Sequence, residues 1–319
     1  SPAVIGGNAL GSNGGRGHTT NPVTGRPYAT ETVRAGDFYR AIAEFWADGP
    51  NSETPPGHWN VLANAVSDKL SPNLRIGGSG RIVDRLEWDV KLYLALNGAV
   101  HDAAIAAWGL KGRYDGARPI SMIRYMASLG QSTDPSLAPY NKQGLPLLPG
   151  LVELITKDKT GSGGPMAALR GNEGKIAVRA WQRDLAAPGA PHVGWILGTT
   201  WMPYQLPTFV TPSFQGYISG HSTFSRAAAE VLTGITGSEY FPGGLSEWTL
   251  GAGSFRISAG PDADVTLQWA TYYDAADQAG QSRLFGGIHV QADDFTGRIV
   301  GSTCGKDAWA LAQRYYAGR

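Results

Sequence analysis

The sequence predicts a mainly helical core with long irregular segments crossing one end of it. Three observations carry this. Apolar residues recur at helical spacing over long stretches, above all 82–110 and 293–316. Glycine and proline gather between those stretches, densely in residues 1–30 and again across about 128–210. No unit of roughly 20–50 residues repeats, so no solenoid or propeller is indicated.

The elements follow in order. Residues 1–30 hold seven Gly and three Pro with little apolar content, and read as an extended arm that needs something to lie against. The remainder, 31–319, reads as one helical domain. Val33 to Asp48 has Phe38, Ile42 and Phe45 on one helical face. Pro55-Pro56 interrupts, and His58 to Leu70 resumes the helical pattern. Ile82 to Leu110 is the longest periodic stretch, with Val83, Leu86, Val90, Leu94, Asn97, His101 and Ile105 on one stripe. That stripe is expected to be the buried face, with Asn97 and His101 as a hydrogen-bonded polar pair within it. Pro119 opens another helix, where its missing N–H does no harm. Residues 128–210 form an excursion of short helices or strands, with helical periodicity returning at Lys175 to Leu185. Helical patterns resume at 222–232, 262–280 and 293–316.

Composition narrows the function. A net charge of +1 exerts no general pull on nucleic acid or anionic membranes. No apolar run approaches the roughly 18 residues of a membrane span. The single Cys304 excludes an intrachain disulfide, and neither His-Glu-x-x-His nor Cys-x-x-Cys occurs, which argues against a zinc site. The compartment is not legible; a secreted or periplasmic setting is compatible with the chain.

Three clusters carry chemistry. In the first, Ser219, Gly220 and His221 end an irregular loop at a helix start. Unpaired amides and the helix dipole favour an oxyanion there; Gly220 admits it to the backbone, Ser219 adds a donor and His221 can move a proton. The second is Lys111, then six residues, then Arg118-Pro119. The third is Ser282-Arg283, then five residues, His289, then three, then Asp293. On a helix His289 and Asp293 share a face, so the carboxylate can take the Nδ1 proton and leave Nε2 basic. Three buried cations are costly unless a multiply charged anion neutralises them, and a tetrahedral oxyanion suits that mixture of donors.

Lys-x6-Arg-Pro, Ser-Gly-His and Ser-Arg-x5-His-x3-Asp together resemble the three-part signature of the phosphatidic-acid phosphatase type 2 superfamily, which joins vanadium-dependent haloperoxidases to bacterial acid phosphatases. The match runs from Lys111 to Asp293, with Ile218 standing where the family usually has Pro. The long gaps between motifs look like those of large bacterial haloperoxidases. Trp108 and Phe214 stand where chloroperoxidases of the family keep aromatic residues beside the halide.

The resemblance implies an all-α fold with a four-helix-bundle core and long irregular loops. Family members often carry two bundles, and one is expected to be missing or shortened here, whether as a separate or processed N-terminal segment. Self-association is left open. The implied cofactor is vanadate, ligated by His289, with Lys111, Arg118, Ser219, Gly220 and Arg283 on its oxygens. His221 would shuttle protons, Asp293 orient His289, and Trp108 and Phe214 line the halide pocket. The implied reaction oxidises a halide with hydrogen peroxide to hypohalous acid or an equivalent species that halogenates a small organic acceptor. Two alternatives stay open: an acid phosphatase working through a phosphohistidine on His289, and an oxyanion-binding protein without catalysis.

Overall fold

The computed structural model describes residues 5–8, 10–12, 14–48, 52–182 and 192–319. Two compact units emerge: one from 1–116 with 215–319, the other from 117–214.

The first unit is built on helices α1 (Ala35–Phe45), α2 (Pro55–Lys69), α3 (Arg85–Tyr114), α6 (Gly220–Thr236), α7 (Tyr272–Phe285) and α8 (Gln291–Tyr316). The second unit holds α4 (Pro119–Leu129), strands β1 (Val152–Leu154), β2 (Ile176–Gln182) and β3 (His192–Leu197), and the single turn α5 (Lys157–Thr160). Its strands form one antiparallel sheet in the order β1-β2-β3. A second antiparallel pair, β4 (Ser246–Leu250) with β5 (Val265–Trp269), belongs to the first unit.

Helix α6 is the centre of the first unit, with α2, α3, α7 and α8 packed on it. Small residues make this possible. A Cβ on Gly297, Gly301 or Gly305 of α8 would stand 2.8 Å from Ser222 Cβ, 2.3 Å from Thr223 O or 2.6 Å from Ala227 O. Their four-residue spacing cuts a groove along α8 into which α6 presses, backbone to side chain. The first of these contacts lies beside Ser219, so the groove also sets the height of the loop that enters α6.

Large aromatics fill the space around α6. Trp46, Trp59, Trp88 and Trp269 are fully buried, each side chain contributing on the order of 1.5–3 kcal/mol through removal from water. Three of their indole donors have named partners: Trp46 and Trp269 both donate to Gln278 Oε1 at 3.1 and 3.0 Å, and Trp59 donates to Ser225 Oγ at 2.8 Å. The arm does lie against something. Asn21 Nδ2 donates to Gly243 O and the Tyr28 hydroxyl to Gly244 O, while His18 sits 3.4 Å from Asp274.

Several expectations change. Helices make up 48% and strands 12% of the described residues, so the expected helical bundle is present and carries two small sheets beside its helices. Pro55-Pro56 begins α2 rather than interrupting a helix, with Thr54 Oγ1 accepting from Gly57 N. Residues 176–182 are a strand: pairing with β1 on one edge and β3 on the other outweighs a weak helical period. Residues 183–185 of the expected 175–185 helix fall outside the described residues. The predicted 262–280 helix is β5 followed by α7, split at the Thr271 capping box.

The largest correction concerns α3. Its buried face is Trp88, Leu92, Ala95, Leu96, Ala99, Val100, Ala103, Ala107 and Lys111. Leu86, Val90, Leu94, Asn97, His101 and Ile105 are all exposed. Asn97 bonds Asn60 of α2, and His101 Nδ1 lies 3.6 Å from Asp102, so the two are not a buried pair. The helix is apolar on both sides, and the alanine-rich side packs closer to α6 and α8.

Candidate active site

Ser219 is the N-cap of α6 and Gly220 its first residue. The amides of Gly220 and His221 thus lie in the first turn, beyond reach of any helix carbonyl. Ser219 is fully buried and its N–H donates to Asp293 O at 3.0 Å, which fastens the loop to the start of α8. Ser222 Oγ lies 2.6 Å from Asp294 Oδ1 and 2.9 Å from Ser219 Oγ. A carboxylate only accepts, so the Ser222 proton goes to Asp294 and the Ser219 hydroxyl donates to Ser222. Arg298 holds the same Asp294 through Nε and Nη2 at 2.9 and 2.7 Å. Ser222, Asp294 and Arg298 were not singled out from sequence; as a buried chain behind Ser219 they fix its rotamer.

His289 precedes α8, and Asp293 stands in that helix's first turn. Asp293 Oδ2 accepts from His289 Nδ1 at 2.8 Å and from Val290 N at 3.3 Å. The expected pairing is present, but as a helix-entry contact and not as two residues on one helical face. Both groups are buried. With the proton on Nδ1, the lone pair of His289 is on Nε2.

His221 has partners that no local pattern revealed. Its Nε2 donates to Trp46 O at 2.8 Å and lies 3.2 Å from Asp48 Oδ2. A carbonyl cannot donate, so the Nε2 proton is fixed and the basic nitrogen of neutral His221 is Nδ1. Asp48 Oδ1 also takes His58 Nδ1 at 2.9 Å. Burial alone would raise the Asp48 carboxyl, yet the bonds from His221 and His58 hold it below its ordinary value. Burial and then the charge of Arg283 push His221 below 6.5, against the pull of Asp48.

Two cations of the first unit are almost wholly enclosed, Lys111 at 1% and Arg283 at 2% exposure. Lys111 Nζ donates to Gln215 O and Gly216 O at 2.8 and 2.9 Å, inside the loop that leads to Ser219. Gly216 N donates in turn to Gly116 O at 2.8 Å. Arg283 donates through Nε to Ser282 Oγ at 2.8 Å and through Nη2 to Ala43 O at 2.7 Å. It therefore pairs with neither Asp274 nor Asp277 of its own helix; those carboxylates take His18 and Arg298. Trp108 stacks on Phe224 with 6.0 Å between ring centres, and lies 5.7 Å under Lys111 Nζ. A Cβ on Gly220 would meet both rings at 3.3 Å. Lys111, Trp108, Ser219, Gly220, His221, Arg283, His289 and Asp293 are thus linked through named contacts within one unit. Arg118 and Phe214 belong to the other unit, where Arg118 Nε donates to Phe214 O at 2.9 Å and the guanidinium lies 5.2 Å over the ring.

The fold and these residues define a class: a helical-bundle protein with buried cations, two oriented histidines and a helix-entry turn around one locus. The chain belongs to the family of the VCPO second helical-bundle domain, whose model matches residues 91–134 and 153–318. In structure it is similar to a bacterial vanadium-dependent chloroperoxidase. The holo form is 19% identical with a TM-score of 0.54, covering 87% of this chain and 44% of that one. The apo form is 18% identical with a TM-score of 0.57, covering 87% and 45%. A bacterial vanadium-dependent iodoperoxidase gives 20% identity, a TM-score of 0.48 and coverage of 86% and 43%. The chain therefore spans less than half the length of these neighbours. No curated protein matches it. Among the described residues no helix is long and apolar enough to cross a membrane.

Proposed function

We propose that the chain is a vanadate-dependent haloperoxidase that uses hydrogen peroxide to oxidise a halide for transfer to a small organic acceptor. One observation carries the reading: His289 is held through Nδ1 by the buried Asp293 at 2.8 Å, which presents Nε2 as a ligand. The donor set fits vanadate. Lys111 and Arg283 supply buried positive charge and the Gly220 amide a donor, and the Ser219 hydroxyl, whose proton goes to Ser222, would turn it toward the anion. A Cβ at Gly220 would crowd this turn against two aromatic rings. Family membership and the fold shared with vanadium-dependent peroxidases support the same choice.

His289 would hold the vanadium, with Lys111, Ser219, Gly220 and Arg283 of the same unit on the vanadate oxygens, and Arg118 only as the family resemblance implies. When bound, vanadate supplies an electrophilic centre that activates peroxide toward a halide. His221, neutral near pH 7, accepts a proton at Nδ1 while Asp48 and Trp46 O keep its ring in place. Lys111 anchors the loop that carries Ser219 and places a positive charge beside it. Trp108, beside Gly220, would face the halide, and the family resemblance implies the same role for Phe214.

The test is peroxide-dependent bromination of a phenolic dye, with and without orthovanadate, beside phosphate-ester hydrolysis on the same samples. Bromination only with vanadate supports the proposal. Ester hydrolysis without bromination would move the chain to the phosphatase branch, whose residues would be the same.

A further inference from the structure

Both groups that hold His221 Nε2 are themselves held by one residue that the oxyanion site does not otherwise use, His58. Asp48 offers Oδ2 to His221 at 3.2 Å and takes His58 Nδ1 on Oδ1 at 2.9 Å. The Asp48 side chain is 1% exposed, so solvent cannot readily replace either donor. Trp46, whose carbonyl oxygen is the other acceptor of His221 at 2.8 Å, stacks its indole on the His58 imidazole with 4.6 Å between ring centres. Phe45 meets the same imidazole edge-on, also at 4.6 Å. Two consecutive rings at the end of α1 thus grip His58, which bonds the carboxylate of the turn that follows.

Each link accounts for the next. Asp48 has a φ of 51°, in the left-handed region that a residue other than glycine enters at a cost, so its turn needs contacts that hold it. With a donor on each oxygen, the carboxylate cannot rotate without giving up a buried bond. Without His58, Oδ1 loses its donor; the carboxylate then gains by turning, and Oδ2 leaves His221. His58 is placed in its turn by α2. Its N–H donates to Thr54 O at 2.8 Å, and its neighbour Trp59 donates to Ser225 Oγ of α6 at 2.8 Å. That second bond sets the height of α2 on the helix whose first turn carries His221. We propose that His58 is a positioning residue for proton transfer at His221, acting through Asp48 Oδ1 and the Trp46 ring. The proposal rests on His221 being the working base of the reaction above. A histidine that merely filled the corner between α1 and α2 would cost stability when replaced and leave the His221 ring unchanged.

The test compares His58→Leu, His58→Gln and His58→Asn in the full chain, with far-UV circular dichroism to follow the fold. Asparagine sets its Nδ2 where the histidine Nδ1 stood, whereas the glutamine amide reaches to the place of Nε2, away from Asp48. Nitrogen-15 NMR of the histidine rings, without vanadate and at neutral pH, reads the His221 tautomer, with His221→Gln to assign its signals. The wild type and His58→Asn should show His221 protonated at Nε2 alone, and His58→Leu and His58→Gln a mixture of both tautomers. In bromination at saturating vanadate, the leucine and glutamine variants should lose about ten- to a hundredfold in kcat, and His58→Asn should recover most of it. Vanadate affinity and the KM for peroxide should stay near those of the wild type in all three. An unchanged His221 tautomer in a folded His58→Leu or His58→Gln would overturn the proposal, as would a His58→Asn no better than His58→Leu. A wild type that does not brominate would defeat the haloperoxidase reading alone, since the NMR comparison needs no turnover.

Discussion

Asp48 Oδ2 lies 3.2 Å from His221 Nε2 although the two residues are 173 positions apart, and the same carboxylate bonds His58 on its other oxygen. The contact gives the histidine of the Ser-Gly-His turn a fixed tautomer. It also gives it a counter-charge to set against Arg283.

Asp48→Asn should therefore change how activity depends on pH as well as how fast turnover is. Asp48 raises the proton affinity of His221, so its loss lets burial and Arg283 depress His221 further. Where neutral His221 is the working form, activity is lost as pH falls through its folded value. The acid limb of the pH–rate profile should then move to lower pH, and turnover should fall through looser positioning. An acid limb that stays in place would mean that Asp48 does not tune His221.

His221→Gln separates anchoring from proton transfer. Vanadate should remain bound while turnover falls by roughly two to four decades, the usual worth of general acid–base catalysis. Equal losses in binding and turnover would make His221 a ligand.

The same variant has a stability signature. His221 titrates below its ordinary 6.5 when folded, so the unfolded chain binds the extra proton first as pH falls. Its contribution is fully present above 6.5 and is lost below it. Melting temperatures measured at about pH 7.5 and about pH 5.5 should differ less in His221→Gln than in the wild type. An equal difference would show that His221 is not penalised on protonation.

Phe214→His tests the halide pocket implied by the family resemblance. At saturating vanadate, kcat/KM for chloride, bromide and iodide should shift away from chloride, with vanadate affinity nearly unchanged. Constant ratios among the three halides would remove Phe214 from the pocket.

Much of the locus was legible because its chemistry is local in sequence. Ser219, Gly220 and His221 are adjacent, and His289 reaches Asp293 across three residues. Asp48 was not legible, since only the turn after α1, with Asp48 at φ 51°, carries it to His221. Ser222 and Asp294 were hidden for a related reason: serine after a cap and aspartate in a first turn are ordinary helix-start residues. On α3 the periodicity points to the wrong face because Leu86, Val90, Leu94 and Ile105 outrank the alanines opposite in hydrophobicity. The alanines are buried because their size lets α6 and α8 come close, a tertiary fact that periodicity does not contain. Strand β2 does not stand out because seven residues are too few to separate a strand's period from a helix's.

The assignment of His289 as the vanadium ligand is open to equilibrium dialysis of orthovanadate against the wild type, His289→Ala and Arg283→Ala. Arg283→Ala should weaken retention by about 1.5–3 kcal/mol, one charge-assisted contact. His289→Ala should lose tight retention altogether while its circular dichroism matches the wild type. Unchanged vanadate affinity in His289→Ala would contradict the assignment.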